Sequence, residues 1–181
     1  MRFVSRKLCG IMLYVLTLIA LPQAANAKPV EQEPSTITVY GLVEHSTTLS
    51  MESLRKMHVV EKVHTPIVCD SGETKKELKS FKGILLRDIL DSVKVSIENP
   101  RQRGEYYILV RASDDYNVIF SYNELYYGAD GDATWLIFEE NGQPIDKDGP
   151  FVVLCDNDRR NGPRHVKWVQ SIEVAKITTE K

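Results

Sequence analysis

Few of the signatures that announce a chemistry are present in this chain. The four histidines, His45, His58, His64 and His165, form no HExxH pair, and the three cysteines form no CxxC. A zinc site of the usual ligand spacing and a CxxCH haem attachment are therefore excluded. No GxGxxG or Walker-type glycine loop is there to cradle a phosphate, and no GxSxG elbow to present a serine nucleophile. Glycine (10) and proline (8) are too sparse for a collagen-like or low-complexity chain. Charge of one sign is lacking too: 23 Lys and Arg stand against 25 Asp and Glu, which argues against a nucleic-acid partner. The longest apolar run, Leu8 to Leu21, has 14 residues. That is short of the roughly 20 a spanning helix needs.

What is present fits one globular domain: 181 residues, 43% hydrophobic and 27% charged. Arg2, Arg6 and Lys7, the apolar run, and Ala25-Asn26-Ala27 are the layout of a secretory signal peptide over residues 1–27. No cysteine follows the run as a lipoprotein anchor would require. Residues 28–36, with Pro29 and Pro34, read as a flexible leader, and residues 37–178 as the folded domain. The expected location is periplasmic or secreted. Cleavage leaves Cys69 and Cys155, which in an exported protein are either a disulfide or two thiols with separate roles.

Periodicity predicts many short strands and few helices. Ile37–Val43 alternates as a strand, and Ser50 is an N-cap for a short helix over Met51–Met57. Val59–Val63 and Thr65–Cys69 read as two strands, the second ended by Asp70-Ser71-Gly72. A helix follows Gly83, with Ile84, Leu85, Ile89 and Val93 at helical spacing. Tyr106–Ala112 and Tyr116–Phe120 are strands around a Ser113-Asp114-Asp115 turn. Ser121 and Glu124 make a capping box. Thr134–Glu139, Phe151–Cys155 and Ile172–Ile177 complete the strands, and Asn141-Gly142 is a hairpin turn. The class is α+β with a mixed, mostly β core.

Two constellations carry chemistry. Cys69 sits at a strand end before a glycine turn, where a thiolate could ligate a soft metal or act as a nucleophile. A buried structural thiol or a disulfide half is the alternative. The polar loop from Asp156 ends in Gly162-Pro163-Arg164-His165-Val166-Lys167-Trp168. Its cationic side chains and backbone amides could hold an anion. The alternative is a solvated loop leading into a strand, with Trp168 in the core.

Taken together, these features resemble the molybdopterin-binding domain of the sulfite oxidase family. Thr38-Val39-Tyr40-Gly41-Leu42-Val43 resembles the family's opening strand. Phe81-Lys82-Gly83-Ile84-Leu85-Leu86-Arg87-Asp88-Ile89-Leu90 resembles its helix entry, and Ser113-Asp114-Asp115-Tyr116 its D-G-Y turn. Asn141-Gly142-Gln143-Pro144-Ile145 with Gly149-Pro150 is similar to its N-G-x-P-L…G-x-P stretch. Arg164-His165-Val166-Lys167-Trp168-Val169 followed by Ile172-Glu173-Val174 is the most specific match.

The resemblance implies the family's mostly β, α+β fold and a pterin or molybdopterin ligand. It implies Cys69 as the protein ligand of molybdenum, if that metal is loaded. It places Arg164, His165, Val166 and Lys167 at the cofactor and Tyr116 where the family's enzymes carry an active-site tyrosine. After Cys69 the enzymes have an Asn-Arg-type segment that helps hold an anionic substrate; this chain has Asp70-Ser71-Gly72-Glu73. The nearest approach to a twin-arginine export signal is Ser5-Arg6-Lys7-Leu8, so the chain is expected to cross the membrane unfolded and without metal. Three functions follow as expectations. They are an exported pterin- or molybdopterin-binding module, a small molybdenum-dependent oxidoreductase, and an interaction domain without cofactor. A membrane-bound receptor or redox carrier is the expected protein partner.

Overall fold

A computed structural model of the chain describes residues 35–178. The expected signal peptide, and the leader up to residue 34, lie outside the described residues. Among those described, ten strands form two sheets.

The first sheet has five strands: β1 (Thr36–Gly41), β2 (Thr47–Ser50), β5 (Tyr106–Ala112), β6 (Asn117–Ser121) and β10 (Val169–Lys176). They run in the order β2-β1-β10-β5-β6. All neighbours are antiparallel except β1 and β10, which pair in parallel from Thr38 with Ser171 to Gly41 with Val174. Strict alternation makes these strands. In β5, Tyr106, Ile108, Val110 and Ala112 are buried while the residues between them are partly exposed. Gly41, at φ 95°, ends β1 where a Cβ would fall 2.1 Å from the Val174 carbonyl oxygen, so glycine is required at that close approach.

The second sheet contains β3 (Val60–Val68), β4 (Thr74–Leu85), β7 (Thr134–Glu140), β8 (Gln143–Pro144) and β9 (Val152–Cys155). β7 is central, flanked by β4 on one side and by β8 and β9 on the other. It is buried on both faces and so reads as a continuous apolar run. Leu136 and Phe138 join the main core between the sheets. Trp135 and Ile137 join a smaller cluster with Ile67, Leu78, Phe81 and Val152. Each such side chain contributes about 1.5–3 kcal/mol on burial.

Three α-helices among the described residues pack against the sheets. α1 (Met51–Arg55) is capped by Ser50, whose Oγ accepts the Ser53 N–H at 3.1 Å. α2 (Leu86–Val93) buries Leu86, Ile89, Leu90 and Val93, an i, i+3, i+4, i+7 stripe. α3 (Tyr122–Tyr127) opens with the expected capping box. Ser121 Oγ accepts from Glu124 N at 3.1 Å, and Glu124 Oε2 accepts from Ser121 N at 3.1 Å.

The structure corrects several boundaries. The two strands expected over 59–69 are one, β3, with its pairing to β4 interrupted at His64, at φ 56°, and shifted in register between Ile67 and Val68. Ile84 and Leu85 are still in β4, and the helix starts at Leu86. β10 begins at Val169 rather than Ile172. Trp168 is 42% exposed at φ 54°, not a core residue. Cys69 and Cys155 are both free thiols, Cys155 fully buried. No described helix is long and apolar enough to cross a membrane.

Candidate functional site

A cleft of about 810 Å³ opens where three connections meet. The first is the turn between β3 and β4, which presents Cys69 and Asp70. Cys69 N–H donates to the Glu73 carbonyl at 2.9 Å and its own carbonyl accepts from Gly72 N at 2.9 Å, closing the turn. The second joins β5 to β6 and presents Tyr116. Its N–H bonds Asp114 Oδ1 at 3.2 Å, and its hydroxyl donates to the Pro163 carbonyl at 2.6 Å. The third runs from β9 to β10 through a 3-10 turn, Gly162–Arg164, and presents His165 and Lys167. Cys69, Tyr116, His165 and Lys167, far apart in the chain, line this one cleft.

The other two loop residues are placed differently. Arg164 faces a different set of groups. Its Nε bonds Asp158 at 2.6 Å, its Nη1 bonds Glu124 at 2.6 Å and its Nη2 bonds Asp130 at 3.0 Å. The guanidinium also lies 4.8 Å from the centre of the Phe120 ring. Hydrogen bonding to Asp158, opposed by burial and helped by Asp130, raises its pKa further, so it is a fixed cation. Arg164 is absent from the cleft lining: four of its five N–H donors are taken by three carboxylates on the side away from the cleft. Val166 is fully buried, and its N–H and carbonyl both pair with Val153, which fastens the loop to β9. Asp130, Cys155 and Asp158 bring ligand-type atoms within 4.8 Å of one another, but the Arg164 guanidinium already neutralises both carboxylates.

The cleft's charges are nearly balanced. Lys75, Lys76 and Lys167 line it together with Asp70 and Asp148. Lys167 Nζ bonds Asp148 Oδ1 at 2.8 Å, and Lys76 Nζ pairs with Glu140 while lying 3.8 Å from Asp148. Burial pushes the Asp148 carboxyl up, but the Lys167 hydrogen bond and the Lys167 and Lys76 charges outweigh it and hold it below its ordinary value. Lys75 has no ion-pair partner among the described residues. His165 is lowered to about 4, first by burial and then by the ammonium groups of Lys167 and Lys76, against the pull of Asp148. At neutral pH it is an uncharged imidazole. Its Nε2 is buried and has no hydrogen-bond partner among the described residues.

An orphaned buried nitrogen costs about 1–3 kcal/mol unless a ligand satisfies it. That atom, a thiol suited to a soft metal, and ammonium groups suited to an anion all suit a pterin that carries sulfur, metal and phosphate. Sequence reasoning missed Lys75, Lys76 and Asp148: the two lysines reach the cleft through the pairing of β4 with β3, and Asp148 through the loop between β8 and β9, whose Asp148 carbonyl accepts from Trp168 N at 2.8 Å. It also missed Asn161, concealed in a loop of polar residues.

Such a cleft, set between loops on a two-sheet α+β scaffold, defines a cofactor-holding domain. The family follows from a wider match. Residues 25–181 fit the model of the oxidoreductase molybdopterin binding domain, and the chain belongs to that family, the sulfite oxidase-like molybdopterin-binding domains. Among solved structures it is similar to the sulfane dehydrogenase SoxCD from Paracoccus pantotrophus, with a TM-score of 0.55 and 16% identity. The alignment covers 77% of this chain and 37% of that one, so this chain spans well under half of the enzyme's chain. A likeness at that identity shows the shared fold. No curated protein matches the chain.

Proposed function

We propose that the protein is an exported molybdopterin- or pterin-binding module whose ligand sits in the Cys69 cleft. The observation that carries this reading is the buried, unpartnered Nε2 of His165 in a cleft that also exposes Cys69 and three lysines. His165, neutral, bonds a polar edge of the pterin. Lys75 and Lys167 meet its anionic group. Cys69 supplies the thiolate that ligates molybdenum when the metal is present. The metal-loaded group would supply two-electron oxygen-atom chemistry, which belongs to the cofactor. Asp70 and Asp148 disfavour a second anion at the same mouth, and Tyr116 is held by its bond to Pro163. Both features favour binding over turnover of an oxyanion. A membrane-bound receptor or a redox carrier is the partner such a module would report to.

A second reading, a small molybdenum-dependent oxidoreductase, is favoured by one fact: the Cys69 thiol is free and at the cleft. Protein purified from the periplasm separates the readings. Fluorescent pterin released on denaturation, with no molybdenum by elemental analysis, is the expected result. Molybdenum in equal amount with protein establishes the oxidoreductase reading. Neither pterin nor metal, together with no binding of added pterin, overturns both and leaves an interaction domain.

A further inference from the structure

We infer that Asn161 is a positioning residue that fixes Cys69 against the ligand loop. Asn161 is 2% exposed, one of few polar side chains buried in the domain. Its Oδ1 accepts the Val68 N–H at 2.8 Å, and its Nδ2 donates to the Pro66 carbonyl at 2.8 Å. In a strand, the carbonyl of one residue and the N–H two residues later point to the same side. They are the two groups that a neighbouring strand would pair. β3 has β4 on its other side and no strand here. The Asn161 amide therefore stands in for one peptide group of a missing strand, using both a donor and an acceptor.

The location matters. The register between β3 and β4 shifts between Ile67 and Val68, so β4 stops dictating the path of the chain one step before Cys69. The Asn161 bonds take hold on both sides of that irregularity. Gly162 adds contact: a Cβ there would lie 2.7 Å from the Val68 oxygen and 3.3 Å from the Cys69 Cα, so only glycine lets the loop backbone approach so closely. Asn161 is itself held, since Arg164 N donates to its carbonyl at 3.1 Å and the Arg164 guanidinium is tied to three carboxylates. A continuous chain of contacts thus runs from the Arg164 anchor through Asn161 to the residue before Cys69. The same loop continues into His165 and Lys167, so the amide sets the spacing between the thiol and the groups opposite it. Asn161 does not line the cleft and takes no part in chemistry.

The inference rests on Cys69 being the cleft's ligand residue, but its test needs no ligand. Iodoacetamide labelling of the folded protein, read by mass spectrometry at each cysteine, compares the parent with Asn161→Ala. Cys155, fully buried, reports global unfolding in the same sample. Leu90→Ala, in α2 and remote from the cleft, is a control for lost stability alone. Freed of two hydrogen bonds, the Cys69 turn should label about tenfold faster in Asn161→Ala. Cys155 should stay unlabelled, and Leu90→Ala should label Cys69 at the parental rate. A parental Cys69 rate in Asn161→Ala, or Cys69 and Cys155 labelling in step, overturns the inference. Hydrogen exchange on the parent keeps it decidable if the variant fails to fold. A Val68 amide protected like those inside the sheets supports the clamp, and one exchanging like an open turn refutes it. Absence of pterin and metal from the purified protein, with no binding of added pterin, sinks the functional reading and leaves these outcomes unaffected.

Discussion

Acidification should destabilise the ligand-free protein first through His165. In the folded state this imidazole is lowered to about 4, from an ordinary 6.5. Between those values the unfolded chain binds a proton that the folded chain refuses. Above about pH 6.5 neither state carries it, and the contribution of the buried neutral ring is complete. As pH falls from 6.5 through 4 that contribution is lost, at up to about 1.4 kcal/mol per pH unit and about 3 kcal/mol in total. Asp148 and Glu139 are shifted the other way, below their ordinary 3.8 and 4.5, so their stabilisation is lost from about those values downward and meets the His165 window only at its acid end. The perturbation is His165→Phe, which keeps a ring but removes both the proton site and the orphaned Nε2. Urea unfolding, followed by the fluorescence of Trp135 and Trp168 from pH 7.5 to 4.5, gives a parent-minus-variant curve that cancels the groups not coupled to His165. It should fall steadily below pH 6.5. At pH 7.5 the variant should be the more stable by about 1–3 kcal/mol, since a buried unsatisfied group has been removed. Added pterin should narrow that gap by satisfying Nε2 in the parent. A flat difference curve, or a parent that gains stability on acidification, would refute a buried neutral His165.

Arg164 and Lys167 should separate cleanly. Arg164→Ala leaves three carboxylates without their cation and should cost roughly 2–4 kcal/mol by thermal or urea unfolding. Lys167→Ala, at an exposed side chain, should cost little stability but weaken binding of an anionic pterin by roughly 1.5–3 kcal/mol by titration calorimetry, less so at high salt. Cys69→Ser should abolish any molybdenum retained by the protein while leaving fluorescence-measured pterin affinity within about a factor of three. Blocking the twin-arginine route should leave the periplasmic level, read by immunoblot, unchanged; its loss would favour export of a loaded, folded protein.

Where one face of an element is buried and the other wet, the sequence shows it. Ile37 and Val39, the β5 alternation and the Ser121–Glu124 cap all stand where the pattern places them. The first half of β4 is the counter-example. Thr74 to Ser80 carries three lysines and a glutamate and pairs only with β3, so only Leu78 is buried there. A strand whose hydrogen bonds are long-range and whose faces are mostly solvated leaves no periodic trace. β2 is short and polar for the same reason. The cleft divides likewise. Cys69, Tyr116, His165 and Lys167 come from segments with recognisable local chemistry. Their acidic and basic neighbours are assembled by register alone. Arg164 shows the limit most directly: a 3-10 turn directs its side chain toward Asp158 and Glu124, on α3 and the loop, and residue type says nothing about that direction.

The parallel pairing of β1 with β10 has a consequence for how the domain is made. β10 is the last of the described strands to be synthesised, yet it occupies the centre of its sheet, between the first strand and β5. Partners such as Thr38 and Ser171 must find each other across nearly the whole domain. Loop closure over that separation is slow, and no shorter-range contact can substitute for it. Until β10 inserts, β1 and β2 have no sheet to join, and the segment carrying Asn161, His165 and Lys167, though it meets β3, α3 and β9, has no strand to hold its far end. A chain interrupted before Val169, whether by a nascent-chain stall or a premature stop, carries every cleft residue named above but lacks the central strand on which β1 and β5 meet.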